Sequence, residues 1–211
     1  MAIIFCKNIS EKSILTLWKI EETVSFYLEY LGINEKDLIS LSDVSHPTKQ
    51  LEWLASRTCA KHTMTLFDLN YHGIGKDSFK NPYLIHNHTA YISLTHTNEY
   101  AAVVISLNEE VGIDLEKISD KLSRVAHKFL SSSELEHSKN DLLKLCIYWC
   151  AKESLYKWYG KKNLSFKDNI YIEPFEEKPS KLRGEIFIEG QLKTEHELLV
   201  IYFDDYVLTV T

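Results

Sequence analysis

The sequence predicts an α+β protein made of two similar halves, and three observations lead there. Strand-like and helix-like periodicities both occur, in the order strands, helix, helix, strands, then strand, helix, helix, strands. A seam falls near residues 105–110, which divides the chain into an N-terminal α+β half over 1–107 and a C-terminal α+β half over 108–211. The composition, 45% apolar and 26% charged in 211 residues, belongs to a globular chain long enough for one domain or two small ones. The likeness of the halves lies in element order, since no short-period repeat and no low-complexity tract occurs.

Residues 2–9 and 13–19 are apolar and β-branched enough for strands, with Glu11-Lys12 turning between them. Glu21 to Leu31 reads as a helix, because Val24, Tyr27, Leu28 and Leu31 form one stripe and Gly32 stops it. His46 to Lys61 reads as a second helix, with Pro47 in its first turn and Leu51, Leu54, Ala55 and Cys59 on the stripe. His72-Gly73-Ile74-Gly75 and Pro174 to Pro179 gather backbone breakers and read as surface loops. Strands follow over 90–95, 100–107 and 111–118; the second is almost wholly apolar, as a central strand should be. A long helix spans Asp141 to Tyr159 and stops at Gly160. Further strands fall around 170–173, 183–189, 197–202 and 205–210.

Thirty acidic and 24 basic residues give a formal charge of −6, which argues against a broad nucleic-acid surface. No apolar run approaches the roughly 20 residues that span a bilayer. The opening Met1-Ala2-Ile3-Ile4-Phe5-Cys6-Lys7 lacks a basic n-region, so a cytoplasmic location without membrane attachment is expected. The four cysteines are expected to be reduced, buried thiols. Cys146 and Cys150 have no nearby His or Cys to complete a zinc site.

Four clusters carry possible chemistry. In Gly112-Ile113-Asp114-Leu115-Glu116, strand alternation sends Asp114 and Glu116 to one face, about 7 Å apart, a spacing suited to a hard cation such as Mg²⁺. On its own the pair also reads as a solvated edge. In the 141–159 helix, Trp149, Glu153 and Lys157 share a face. Glu153 there reads as a metal ligand or proton acceptor and Lys157 as a phosphate partner, or the two form a plain surface ion pair. Ser93-Leu94-Thr95-His96-Thr97-Asn98 sets a histidine among hydroxyls, a phosphate cradle or a capped turn. His46 to Arg57 alone is an amphipathic helix.

Taken jointly and in this order, the segments identify a family. The chain resembles the 4′-phosphopantetheinyl transferase superfamily, in particular its larger monomeric type that activates peptide and polyketide synthases. Gly112-Ile113-Asp114-Leu115-Glu116 and Trp149-Cys150-Ala151-Lys152-Glu153-Ser154-Leu155-Tyr156-Lys157 carry the resemblance. Lys128-Phe129-Leu130-Ser131-Ser132-Ser133-Glu134 is similar to the family's connector, and the Leu51–Arg57 helix and Ser93–Thr97 turn match in type and order.

The resemblance implies two α+β halves related by a pseudo-twofold, with the active site in the cleft between them. It implies transfer of the phosphopantetheine arm of coenzyme A to a serine of an apo acyl or peptidyl carrier protein, with Mg²⁺ and release of 3′,5′-ADP, by a monomer of the holo-[acyl-carrier-protein] synthase type. Asp114 and Glu116 would bind Mg²⁺. Glu153 would complete the metal site or deprotonate the serine. Lys157 and Lys152 would meet the phosphates. His96, helped by Thr95 or Thr97, would contact the 3′-phosphate, with Lys49 and Arg57 supplying charge.

Three positions depart from the family pattern. Thr95-His96-Thr97 replaces Ser-His-Ser. Lys80-Asn81-Pro82 replaces Gly-Lys-Pro, so Asn81 stands where a phosphate-binding lysine is expected; either Lys80 substitutes from the neighbouring position or strand alternation aims it away. Lys49-Gln50 stands where arginine is common. The alternative is a relative that binds coenzyme A or a carrier protein without turnover. A generic Mg²⁺ phosphohydrolase lacks support, because no phosphate-cradling glycine loop or aspartyl nucleophile motif stands out.

Overall fold

The computed structural model describes residues 2–33, 41, 44, 46–161 and 163–211. They fall into two units, Met1–Val111 and Gly112–Thr211.

In the first unit, strands β1 (Ile3–Ser10) and β2 (Ser13–Lys19) form a hairpin. β2 pairs with β6 (Tyr100–Ser106), which pairs with β5 (Tyr91–His96), giving an antiparallel sheet ordered β1-β2-β6-β5. The inner strands β2 and β6 carry the continuous apolar runs, and every residue of β6 is buried. Helix α1 (Val24–Leu31) starts at Thr23, whose hydroxyl accepts from the Phe26 N–H, and ends at Gly32 in the left-handed region. Helix α2 (Pro47–Thr65) runs four residues past the expected end, because Thr63 and Met64 are also buried against the sheet. Trp18, Tyr27, Leu54, Ala55, Cys59, Met64, Val103 and Ile105 form the core of this unit.

The expected loop at His72–Gly75 is in part a small hairpin, β3 (Ile74–Lys76) with β4 (Pro82–Leu84). Three-residue strands are too short for alternation to reveal. The Asp77 carboxylate shapes the turn by accepting from the Phe79 and Asn81 N–H groups and the Asn81 amide.

The second unit contains β7 (Ile113–Lys117), then helices α3 (Lys121–Phe129), α4 (Ser132–Ser138) and α5 (Leu142–Tyr159). Strands β8 (Ile170–Ile172), β9 (Lys181–Ile188), β10 (Gln191–Phe203) and β11 (Tyr206–Val210) follow. The antiparallel sheet is ordered β7-β11-β10-β9-β8. In both units a strand preceding the helices pairs with the unit's last strand, and that strand pairs with the one before it.

β9 and β10 are longer than their apolar segments suggested. Their outer residues are charged and are held by cross-strand ion pairs, Arg183–Glu195 at 2.5 Å and Lys181–Glu197 at 2.6 Å. Leu122, Phe129, Leu145, Leu155, Ile170, Ile186, Leu198 and Val207 fill the core beneath α5.

The glycine before β7 has a specific task. A Cβ at Gly112 would lie 1.9 Å from the Ser154 carbonyl oxygen and 2.7 Å from the Trp158 nitrogen, so α5 lies backbone to backbone on the start of β7. This close approach brings the acidic strand within reach of the polar side of α5.

Candidate functional site

Asp114 and Glu116 pair across β11 with Thr209 and Val207, and the four residues share one face of the sheet. That face meets α5. The Ser154 hydroxyl contacts the Thr209 hydroxyl at 2.7 Å and the Cys150 thiol donates to the Val207 carbonyl at 3.4 Å. Ile113 and Leu115 point the other way and are buried.

Lys157 closes the arrangement. Its ammonium donates to Asp114 Oδ1 at 2.8 Å and to the Ile113 carbonyl at 3.0 Å. Asp114 is only 5% exposed, so this is a desolvated ion pair rather than a surface one. Glu153 lies one turn before Lys157. Burial and the charges of Asp114 and Glu116 push its carboxyl up to about 7, with Lys157 opposing. Burial and Asp114 likewise raise Glu116, against a hydrogen bond from the Trp149 indole and the charge of Lys157. The three acids therefore feel one another, and Lys157 offsets them.

Excess negative charge on hard oxygen donors is the chemistry that Mg²⁺ relieves. Among the described residues no three His, Cys, Asp or Glu side chains are assembled as a ready cage for a metal ion. Mg²⁺ does not require one, since it usually takes one or two carboxylates and completes its octahedron with waters and phosphate oxygens. The donor set fits such an ion.

The raised acids have a measurable consequence without metal. A carboxyl raised on folding contributes stability that is complete below its unfolded value, near 4.5, and is lost as pH rises through its folded value, about 7 for Glu153. Wild-type protein in chelator should therefore lose up to about 3 kcal/mol at this residue between pH 4.5 and 8. Glu153→Gln should remove that part of the pH dependence and melt higher than wild type at pH 8. Denaturant melts of both proteins at five pH values check this, and parallel curves would contradict it.

Trp149, expected on the same face as Glu153 and Lys157, packs edge-on against Phe129 at 5.0 Å and tilted against Phe166 at 5.6 Å. Lys152 has another place than the one expected. It is fully buried, and its ammonium donates to Glu134 Oε2 at 2.7 Å, to the Phe166 carbonyl at 2.8 Å and to the Ile170 carbonyl at 2.7 Å. Three acceptors saturate the ammonium, and no surface is left for a phosphate. The physical reason is helical phase: Lys152 is one residue, or about 100°, away from Glu153 and so faces the core. Glu134 is equally committed. Its carboxylate also accepts from the Ser131 and Ile172 N–H groups at 2.8 Å and 3.0 Å, tying α4, α5 and β8 together.

In the first unit, Lys49 and His96 meet on Glu52. The Lys49 ammonium lies 2.7 Å and the His96 Nδ1 2.9 Å from Glu52 Oε2, and Glu52 is 2% exposed. His96 ends β5 on the face that looks toward α2, while Thr95 alternates to the opposite face and is buried. The Thr97 hydroxyl accepts from the Glu99 and Tyr100 N–H groups and shapes the β5–β6 turn. Arg57 stacks its guanidinium 3.4 Å from the centre of the Trp53 ring. Lys80 is exposed in the β3–β4 turn with φ 73°.

Sequence reasoning missed the part played by Glu52. The only signal was its i, i+3 spacing from Lys49, because the contact with His96 is tertiary. Cys59, Cys146 and Cys150 are buried free thiols as expected, whereas Cys6 is exposed on the edge strand β1. No helix among the described residues is long and apolar enough to cross a membrane.

The comparison with protein families falls on this half of the chain. Residues 110–211 match the model of ACPS, the 4′-phosphopantetheinyl transferase superfamily. The matched segment, a little under half of the chain, is similar to that superfamily's model and contains Asp114, Glu116 and Glu153 of the acidic cluster on β7 and α5. No curated protein matches the chain.

Proposed function

We propose that the protein is an Mg²⁺-dependent phosphopantetheinyl transferase of the holo-[acyl-carrier-protein] synthase type, acting in the cytoplasm as a monomer on an apo acyl or peptidyl carrier protein. The observation that carries the reading is the mutual electrostatic coupling of Asp114, Glu116, Glu153 and Lys157 on the facing sides of β7 and α5.

Asp114 and Glu116 would hold Mg²⁺ against the pyrophosphate of coenzyme A. When bound, the ion supplies positive charge to oxygens that become more negative during transfer. Lys157, fixed by Asp114 and the Ile113 carbonyl, adds a second positive charge to the same oxygens. The carrier serine oxygen attacks the phosphorus bearing the pantetheine arm. The new O–P bond forms as the bond to the bridging pyrophosphate oxygen breaks, and 3′,5′-ADP leaves with that oxygen. The serine proton passes to the Glu153 carboxylate, whose raised proton affinity suits a base acting near neutral pH.

His96 and Lys49 would take the 3′-phosphate, with Arg57 and Lys80 contributing charge; Thr95, buried on the opposite face, and Thr97, engaged in the turn, have no place beside it. Lys152 has no place in this proposal. Arg124, His127 and Lys128 on α3 offer basic charge to an acidic carrier while Leu122, Ala126 and Phe129 anchor the helix inward.

One observation favours a second reading, binding without turnover. Asn81, at the position of an expected lysine, is engaged by Asp77 within the β3–β4 turn. Incubation with coenzyme A, Mg²⁺ and a panel of apo carriers separates the two. The first reading expects a carrier heavier by one phosphopantetheine arm; the second expects calorimetric binding and an unchanged carrier mass.

A further inference from the structure

We infer that Glu52 is a positioning residue that holds His96 and Lys49 in the geometry needed to grip the 3′-phosphate of coenzyme A. The inference rests on the reading above, in which these two side chains meet that phosphate.

Glu52 is a carboxylate almost without solvent contact, at 2% exposure, projecting from α2 toward the end of β5. Burial of such a group is costly unless cations and donors satisfy it. Here one oxygen, Oε2, receives both the Lys49 ammonium and the His96 Nδ1. The two partners remain partly in solvent, Lys49 at 61% and His96 at 36% side-chain exposure, so the buried acid anchors an ammonium and an imidazole at the surface of the unit. A donor at Nδ1 also fixes the imidazole's orientation, leaving Nε2 as the nitrogen on the far side of the ring.

Simple charge counting opposes this reading, which makes it testable by sign. Removing a carboxylate beside an anion site should tighten binding if only charge matters. If Glu52 acts by orientation, the isosteric Glu52→Gln should loosen binding, because the Lys49 and His96 side chains lose their shared anchor and regain rotamer freedom.

Calorimetric titration of the full chain with 3′,5′-ADP and with 5′-ADP provides the test. Wild type is expected to prefer 3′,5′-ADP. Glu52→Gln should weaken 3′,5′-ADP about tenfold and leave 5′-ADP within about twofold, the loss expected for one displaced charge-assisted contact. In steady state, KM for coenzyme A should rise by a similar factor with kcat retained. The same substitution in a Lys49→Met, His96→Gln background should cost little more, since both side chains that Glu52 orients are already gone.

Unchanged or tighter 3′,5′-ADP binding by Glu52→Gln would overturn the inference, as would equal weakening of both nucleotides, which marks general damage to the unit. A wild type with no preference between the nucleotides would instead remove the 3′-phosphate assignment itself, and the role of Glu52 with it.

Discussion

Asp114→Asn is expected to lower carrier loading about a thousandfold while leaving the fold intact. The substitution keeps the shape of the side chain and removes the charge that faces Lys157 and the neighbouring acids. Two losses combine. The proposed metal position loses an anionic ligand, and Lys157 loses the partner that holds its ammonium beside β7. Removing one oriented charge from a site of this kind commonly costs about 100- to 1,000-fold. Stability should change little, because the lost attraction to Lys157 is offset by relief of repulsion among Asp114, Glu116 and Glu153. A melting shift below about 4 °C is expected. Loading assays and melts on the same preparation check both parts, and an active Asp114→Asn protein would remove the acid from the site.

Lys152→Met is expected to act on the fold. Its ammonium neutralises the buried Glu134 and closes two backbone carbonyls. Removing one member of a buried pair leaves an uncompensated charge and costs about 3–5 kcal/mol. The melting temperature should fall by about 10 °C or more. Replacing both partners, in Lys152→Met with Glu134→Leu, should not restore it, because Glu134 also caps α4 at Ser131 and holds the Ile172 N–H. A Lys152→Met protein that melts like wild type but binds coenzyme A poorly would show that the lysine meets phosphate after all.

These two neighbouring positions show how far the sequence could be read. Lys152 and Glu153 sit side by side in one motif, yet one builds the core and the other joins the acid cluster. Motif membership names the residues, but helical phase against a particular sheet decides which way each points. That phase depends on α5 lying against β7 at Gly112. The facing of Asp114 and Glu116 was legible because strand alternation is a local rule. The i, i+4 spacing of Glu153 and Lys157 was legible for the same reason. Local rules also gave β2, β6, α1 and α5 to within a few residues.

What escaped detection was tertiary or very short. The meeting of His96 with Glu52 joins residues 44 positions apart. The β3–β4 hairpin has strands of three residues held by an aspartate turn, and the charged ends of β9 and β10 lack the apolar alternation that marks a strand.

The most direct test of the central claim is the mass of an apo carrier protein after incubation with wild-type protein, coenzyme A and Mg²⁺, with a parallel reaction in chelator. The account predicts that the carrier gains one phosphopantetheine arm on its serine, with release of 3′,5′-ADP, and that chelator prevents the gain. Carriers of every class left at their starting mass, or loading that proceeds undiminished in chelator, would contradict it.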